Sequence, residues 1–105
     1  MNQGEARFQV GQTVQHKLFD YRGVVVDVDP VYSGSDEWYE RMALSRPPKD
    51  APWYHVLVDE AVHATYVAER NLQNDPSTEP IRHPLVDEYF SGLRDGLYLN
   101  RQKTN

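Results

Sequence analysis

The run Val24-Val25-Val26-Asp27-Val28-Asp29, closed by Pro30, constrains this chain more than any other segment. β-Branched side chains are stiff about χ1 and sit well on a pleated surface. A proline cannot donate to a ladder, so it stops the strand behind it. Upstream, Thr13 to Leu18 alternates, with Val14, His16 and Leu18 on one face and Thr13, Gln15 and Lys17 on the other, the period of a half-buried strand. Between them Phe19-Asp20-Tyr21-Arg22-Gly23 reads as a turn in which Gly23 takes a positive φ. Residues 13–29 are thus expected to form one hairpin. A second is expected over 53–68, from Trp53-Tyr54-His55-Val56-Leu57-Val58, a turn at 59–63, and Ala64-Thr65-Tyr66-Val67-Ala68. Neighbours in a strand face opposite ways, so Trp53 and Tyr54 are not both expected in the core.

Around these hairpins the pattern is weaker. Residues 1–9 are polar and expected to be flexible. The stretch 31–52 is a long loop in which Asp36 to Leu44 can form a short helix capped by Ser35 or Asp36. Connections of that length are functional or mobile in most small domains. Glu69 to Leu72 reads as one helical turn, and 74–80 as a polar connector. After Pro84, the residues Leu85, Val86, Tyr89, Phe90 and Leu93 make one apolar stripe at helical period, ended by Gly96. The expected architecture is mainly β: a small, strongly bent barrel over 10–75, with 76–105 as connector, short helix and tail. Closure into a barrel is how four or five strands avoid a long free edge.

Of the 105 residues, 39% are apolar, enough for one small core. Twelve Val against one Ile, with seven Tyr and two Trp, agree with the β assignment. The net charge of −5 argues against coating nucleic acid through an overall field. The absence of cysteine excludes disulfides, thiolate metal sites and Cys nucleophiles. No apolar run is long enough to span a bilayer as a helix, and Met1 to Glu5 lacks a signal pattern, so a soluble cytoplasmic protein is expected.

Catalytic patterns are missing. There is no Gly-x-Ser-x-Gly elbow, no Gly-rich phosphate loop and no His-Glu-x-x-His string. Neighbouring strands can bring His16 and His55 together, but the simpler reading is two hydrogen-bonded strand residues, and no metal or cofactor is expected. Asp27 and Asp29 share one strand face, where a solvated face is the simpler reading than acid–base chemistry. The aromatic residues say more. Tyr32, Trp38, Tyr54, His55 and Tyr66 lie in or beside the hairpins and are candidate anchors for a protein partner. For a nucleic-acid partner the candidates are Lys17 and Arg22 at the first turn and Arg46 and Lys49 in the long loop, as phosphate contacts.

The strings Gly23-Val24-Val25-Val26-Asp27-Val28-Asp29-Pro30-Val31-Tyr32 and Pro52-Trp53-Tyr54-His55-Val56-Leu57-Val58, followed by Thr65-Tyr66-Val67-Ala68-Glu69, carry a resemblance. Together with Gly11, Val14 and His16, they resemble the heat-shock protein HspQ family, also called the YccV-like or hemimethylated-DNA-binding domain, over roughly residues 8–75. The resemblance implies an SH3-like β-barrel without catalytic activity. Members are described as binding hemimethylated DNA at replication origins. They are also described as stress proteins that promote breakdown of denatured proteins with an ATP-dependent protease such as Lon, and some assemble as oligomers. No agreed catalytic set carries over. A protein-binding accessory role fits the acidic composition better than duplex binding does.

Overall fold

The computed structural model describes residues 5–101. Strands β1 (Thr13–His16) and β2 (Arg22–Asp29) form the first hairpin, and β3 (Trp53–Val58) and β4 (Ala64–Ala68) the second. β2 pairs antiparallel with β3. A 3-10 turn at Glu69–Asn71 leads from β4 into a short β5 (Leu72–Asn74), which pairs antiparallel with β1. The strand order is therefore β4-β3-β2-β1-β5. β4 and β5 share no ladder among the described residues, so no closed barrel is found. The sheet is nonetheless sharply curved, because Val67 of β4 and Leu72 of β5 meet in one buried cluster with Phe8, Val14, Val25, Tyr54 and Val56.

The C-terminal part departs from the sequence expectation. Helix α2 (Val86–Tyr89) is a single turn, followed by β6 (Phe90–Arg94) and β7 (Leu97–Asn100) in a second, two-stranded sheet. Asp95 and Gly96 both adopt positive φ, 54° and 79°. That two-residue geometry matches the twist of the flanking strands, and it turns the chain between Arg94 and its partner Leu97. The helical stripe at 85–93 is thus replaced by a hairpin whose signal was the Asp-Gly dipeptide. Phe90 and Tyr98 pack with Ile81 on Val24 and Leu57. Residues 76–101 consequently cover one end of the main sheet's outer face and are not merely a connector, helix and tail.

Helix α1 (Asp36–Met42) covers the other end of that face, within the loop where it was expected. Its N-cap is Ser35, whose Oγ accepts from the Trp38 N–H at 3.0 Å. Tyr39 and Ala43 pack on Trp53 and Ala68. Trp53 and Tyr54 do point to opposite faces, but both faces are covered, so both are buried, at 2% and 0% exposure. The expectation that one would be at the surface fails for that reason. Phe8 is also in the core and donates its N–H to Tyr54 Oη at 3.2 Å. The flexible stretch assigned to 1–9 therefore contributes a core side chain; residues 1–4 lie outside the described residues.

The first hairpin is corrected in two places. β1 stops at His16, so Leu18 is exposed rather than on the buried face. Gly23 lies inside β2 opposite Val58 and has no positive φ; Asp20 takes that conformation instead, at 64°. Gly23 is needed for close approach, since a Cβ there would stand 2.4 Å from Val56 Cγ1 and 2.5 Å from the Leu57 carbonyl oxygen. β2 also carries a bulge between Val25 and Asp27, after which Asp27 faces His55 and Asp29 faces Trp53. Among the described residues no helix is long and apolar enough to cross a membrane.

Candidate partner-binding groove

On the outer face of the sheet, the C-terminal hairpin covers Leu57 and α1 covers Trp53. His55 lies between these two positions on the same face of β3, half-buried. The aromatic candidates converge there. Tyr66, opposite His55 on β4, has its ring centroid 4.5 Å from the His55 ring and 5.2 Å from Trp53. Tyr32 lies 4.9 Å from Trp53, and Trp38 lies 5.7 Å from Tyr66. Edge-to-face and tilted pairs of this kind add to burial alone. Tyr32, Trp38, His55 and Tyr66 thus form one half-exposed cluster. Tyr54 does not belong to it. Its ring is in the inner core and its hydroxyl donates to Glu69, so it cannot be a surface anchor.

Hydrogen bonds fix the cluster. Tyr66 Oη donates to Asp29 Oδ2 at 2.6 Å and accepts from the Ser33 N–H at 3.0 Å. Burial and the bond to the Asp29 carboxylate push the Tyr66 hydroxyl up to about 12. His55 Nε2 lies 3.2 Å from the same Asp29 oxygen. Asp27, Asp29 and His55 offer ligand atoms within 4.8 Å of one another. Asp29 Oδ2, however, already serves Tyr66 and His55, and Asp27 is exposed, so the group organises the aromatic cluster. His16 is not part of it. Its Nδ1 accepts from the Leu18 and Phe19 amides, each at 3.1 Å, and its ring stacks on Phe19 at 4.7 Å.

Beside the cluster runs a groove of about 840 Å³. Its lining comes from both faces of β4, Thr65 and Val67 on one and Tyr66 and Ala68 on the other. One lip is the turn that His16 holds, with Leu18 at 60% and Phe19 at 73% exposure. The other is the end of α1 and the segment after it, with Met42 at 58% and Leu44 at 79%. Both lips line the groove, and the side chains they present to it carry no carboxylate, ammonium or guanidinium. Sequence reasoning missed all four residues. Leu18 was placed on the strand's inner face by extending β1 two residues too far, Phe19 was read only as part of a turn, and Met42 and Leu44 only as part of a short helix.

The basic candidates do not form a phosphate-binding face. Arg22 is a clamp: Nε meets Asp75 at 2.9 Å, Nη1 meets Asp59 at 3.1 Å, and Nη2 donates to the Glu79 carbonyl. Arg46 caps α1 by donating to the Tyr39, Glu40 and Ala43 carbonyls and pairs with Glu40 at 3.3 Å. Lys49 Nζ lies 4.4 Å from the centre of the Tyr39 ring and 3.4 Å from Asp36. Lys17, at the first turn, is exposed. Three of the four cations therefore already pair with groups of this chain, Arg22 in a mostly buried clamp and the half-exposed Arg46 and Lys49 at the surface.

Compared with known proteins, residues 6–97 match a family model described as "YccV-like: Hemimethylated DNA-binding protein YccV like". The match covers both hairpins of the main sheet, α1, and most of the C-terminal unit, a longer span than the strings that carry the resemblance in the sequence.

Proposed function

Because the chain belongs to the YccV-like family, we propose that it is a non-enzymatic accessory protein of the cytoplasm that binds denatured polypeptide and promotes its degradation by an ATP-dependent protease such as Lon. The observation that carries this reading is the groove beside β4, whose lips leave four large apolar side chains in water. Exposed apolar surface rimmed by polar groups marks protein-interaction sites, whereas nucleic-acid interfaces are more polar and more positively charged. The net charge of −5 is compatible with such a partner. The strand order and the sharp curvature support an SH3-like architecture for the main sheet. The test is the rate at which Lon degrades a permanently unfolded protein, such as reduced carboxymethylated lactalbumin, with and without this chain. Acceleration by the wild type, lost in Phe19→Asp and kept in Lys17→Ala, is the expected result. No acceleration by the wild type would remove the reading.

The family description favours a second reading, a module for hemimethylated DNA. Such binding would rest on few cations and on major-groove contact with a single methyl group. A duplex titration at rising salt separates the two. Selective binding of the hemimethylated duplex, with a steep salt slope weakened by Lys17→Ala, would favour DNA.

A further inference from the structure

We infer that the groove takes an extended, uncharged segment of polypeptide, which adds as a strand to the outer edge of β4. The inference rests on the protein-binding reading and specifies the form in which the partner is held. β4 stands at one end of the strand order. Val58 donates to the His63 carbonyl and Glu69 to the Pro52 carbonyl. With the register running from Trp53↔Ala68 to Leu57↔Ala64, this turns the backbone groups of Thr65 and Val67 toward β3. The N–H and C=O groups of Ala64 and Tyr66 therefore turn outward with no backbone partner among the described residues, whereas Ala68 is buried and its carbonyl, at the N-cap of the 3-10 turn, is taken up by that turn. Soluble proteins commonly blunt such an edge with a charge, a proline or a bulge. Ala64-Thr65-Tyr66-Val67-Ala68 has no charge and no proline, and its ladder with β3 is regular.

The walls specify the occupant. The groove opens on both faces of β4, so a strand laid along it sends alternate side chains toward the Phe19 lip and toward the Leu44 lip. No Asp, Glu, Lys or Arg lines it. A charged side chain there would lose water and gain no counter-ion, so the matching segment is uncharged, and the phosphates of a duplex do not fit. Five residues of β4 span about 17 Å, which sets the segment at about five residues. A second copy of this chain is a poorer match. Two-fold pairing of β4 with β4 would bring both Phe19 lips over one face of the junction and both Leu44 lips over the other.

The probe is a fluorescein-labelled (Val-Thr)3 peptide, followed by polarisation and by amide exchange in NMR. The expected result is saturable binding with exchange at the Ala64 and Tyr66 amides slowed about tenfold or more. Ala64→Pro removes one outward donor at the exposed first residue of the strand, where proline is tolerated, and is expected to weaken binding about tenfold. Should that variant not fold, Leu44→Asp changes a side chain that is 79% exposed and is expected to weaken binding through its charge. Binding without amide protection would overturn strand addition and leave the protein-binding reading standing. So would failure of the peptide to bind while carboxymethylated lactalbumin is still captured; failure of both would remove the two together. A concentration-dependent dimer that dissociates in Ala64→Pro would make the occupant a second copy and overturn the proposal.

Discussion

Single side chains in this molecule hold stretches of backbone in place. His16 is the clearest case, since Nδ1 accepts two amide protons and so fixes the turn that carries Leu18 and Phe19. Burial lowers its pKa from the ordinary 6.5, and a proton on Nδ1 would abolish the acceptor. The folded form therefore binds a proton less readily than the unfolded chain. The stability this contributes is complete above 6.5 and is lost as pH falls from 6.5 toward the lowered folded value. The urea midpoint should drop between pH 7 and 5, with a shallower drop in His16→Gln. An equal drop in the variant would assign the acid sensitivity to another group. Tyr54 plays a comparable part in the interior. Its hydroxyl donates to Glu69 and accepts from the Phe8 amide, which draws the N-terminal segment onto the sheet.

At the scale of elements, the two hairpins of the main sheet and α1 were legible because each rests on local chemistry. Val24 to Asp29 and Trp53 to Val58 are β-branched or aromatic runs with clear stops, and Ser35 caps the helix that follows it. The C-terminal hairpin was not read, because Leu85, Val86, Tyr89, Phe90 and Leu93 also fit a helical stripe. The deciding term lies at Asp95-Gly96 and in the packing of Phe90 and Tyr98 on a distant strand. Periodicity cannot report that packing. β5 was missed for a related reason: three residues, Leu72 to Asn74, become a strand only by pairing with β1. Of the five candidate anchors, Tyr32, Trp38, His55 and Tyr66 come together at the surface, whereas Tyr54 lies in the inner core. Alternation tells which face a residue takes, but not whether that face is covered. If the turn sets the hairpin, Gly96→Val should destabilise the protein by roughly 1–2 kcal/mol, the cost of a left-handed conformation for a residue with a Cβ. An unchanged chemical-denaturation midpoint would mean that side-chain packing alone holds β6 against β7.

Across the whole molecule, contacts between distant parts of the sequence decide the architecture. Arg22, at the start of β2, joins Asp59 in the β3–β4 turn and Asp75 after β5. The Asp75 side chain is fully buried and that of Arg22 is 17% exposed, and breaking such a pair by removing one partner leaves a charge without compensation. Arg22→Ala should therefore cost about 3–5 kcal/mol, a large part of what a domain this size has, and should act on the whole fold in one transition. Retention of the wild-type melting temperature would mean the clamp is dispensable. Glu60 and Arg82 reinforce the same junction through a 2.9 Å ion pair. The placement of Ile81, Phe90 and Tyr98 over Val24 and Leu57 has a bearing on biosynthesis. While the chain is being made, both hairpins of the main sheet leave the ribosome first, with those two side chains bare. Only when Ile81, Phe90 and Tyr98 have emerged can that patch be sealed, and until then it is open to association.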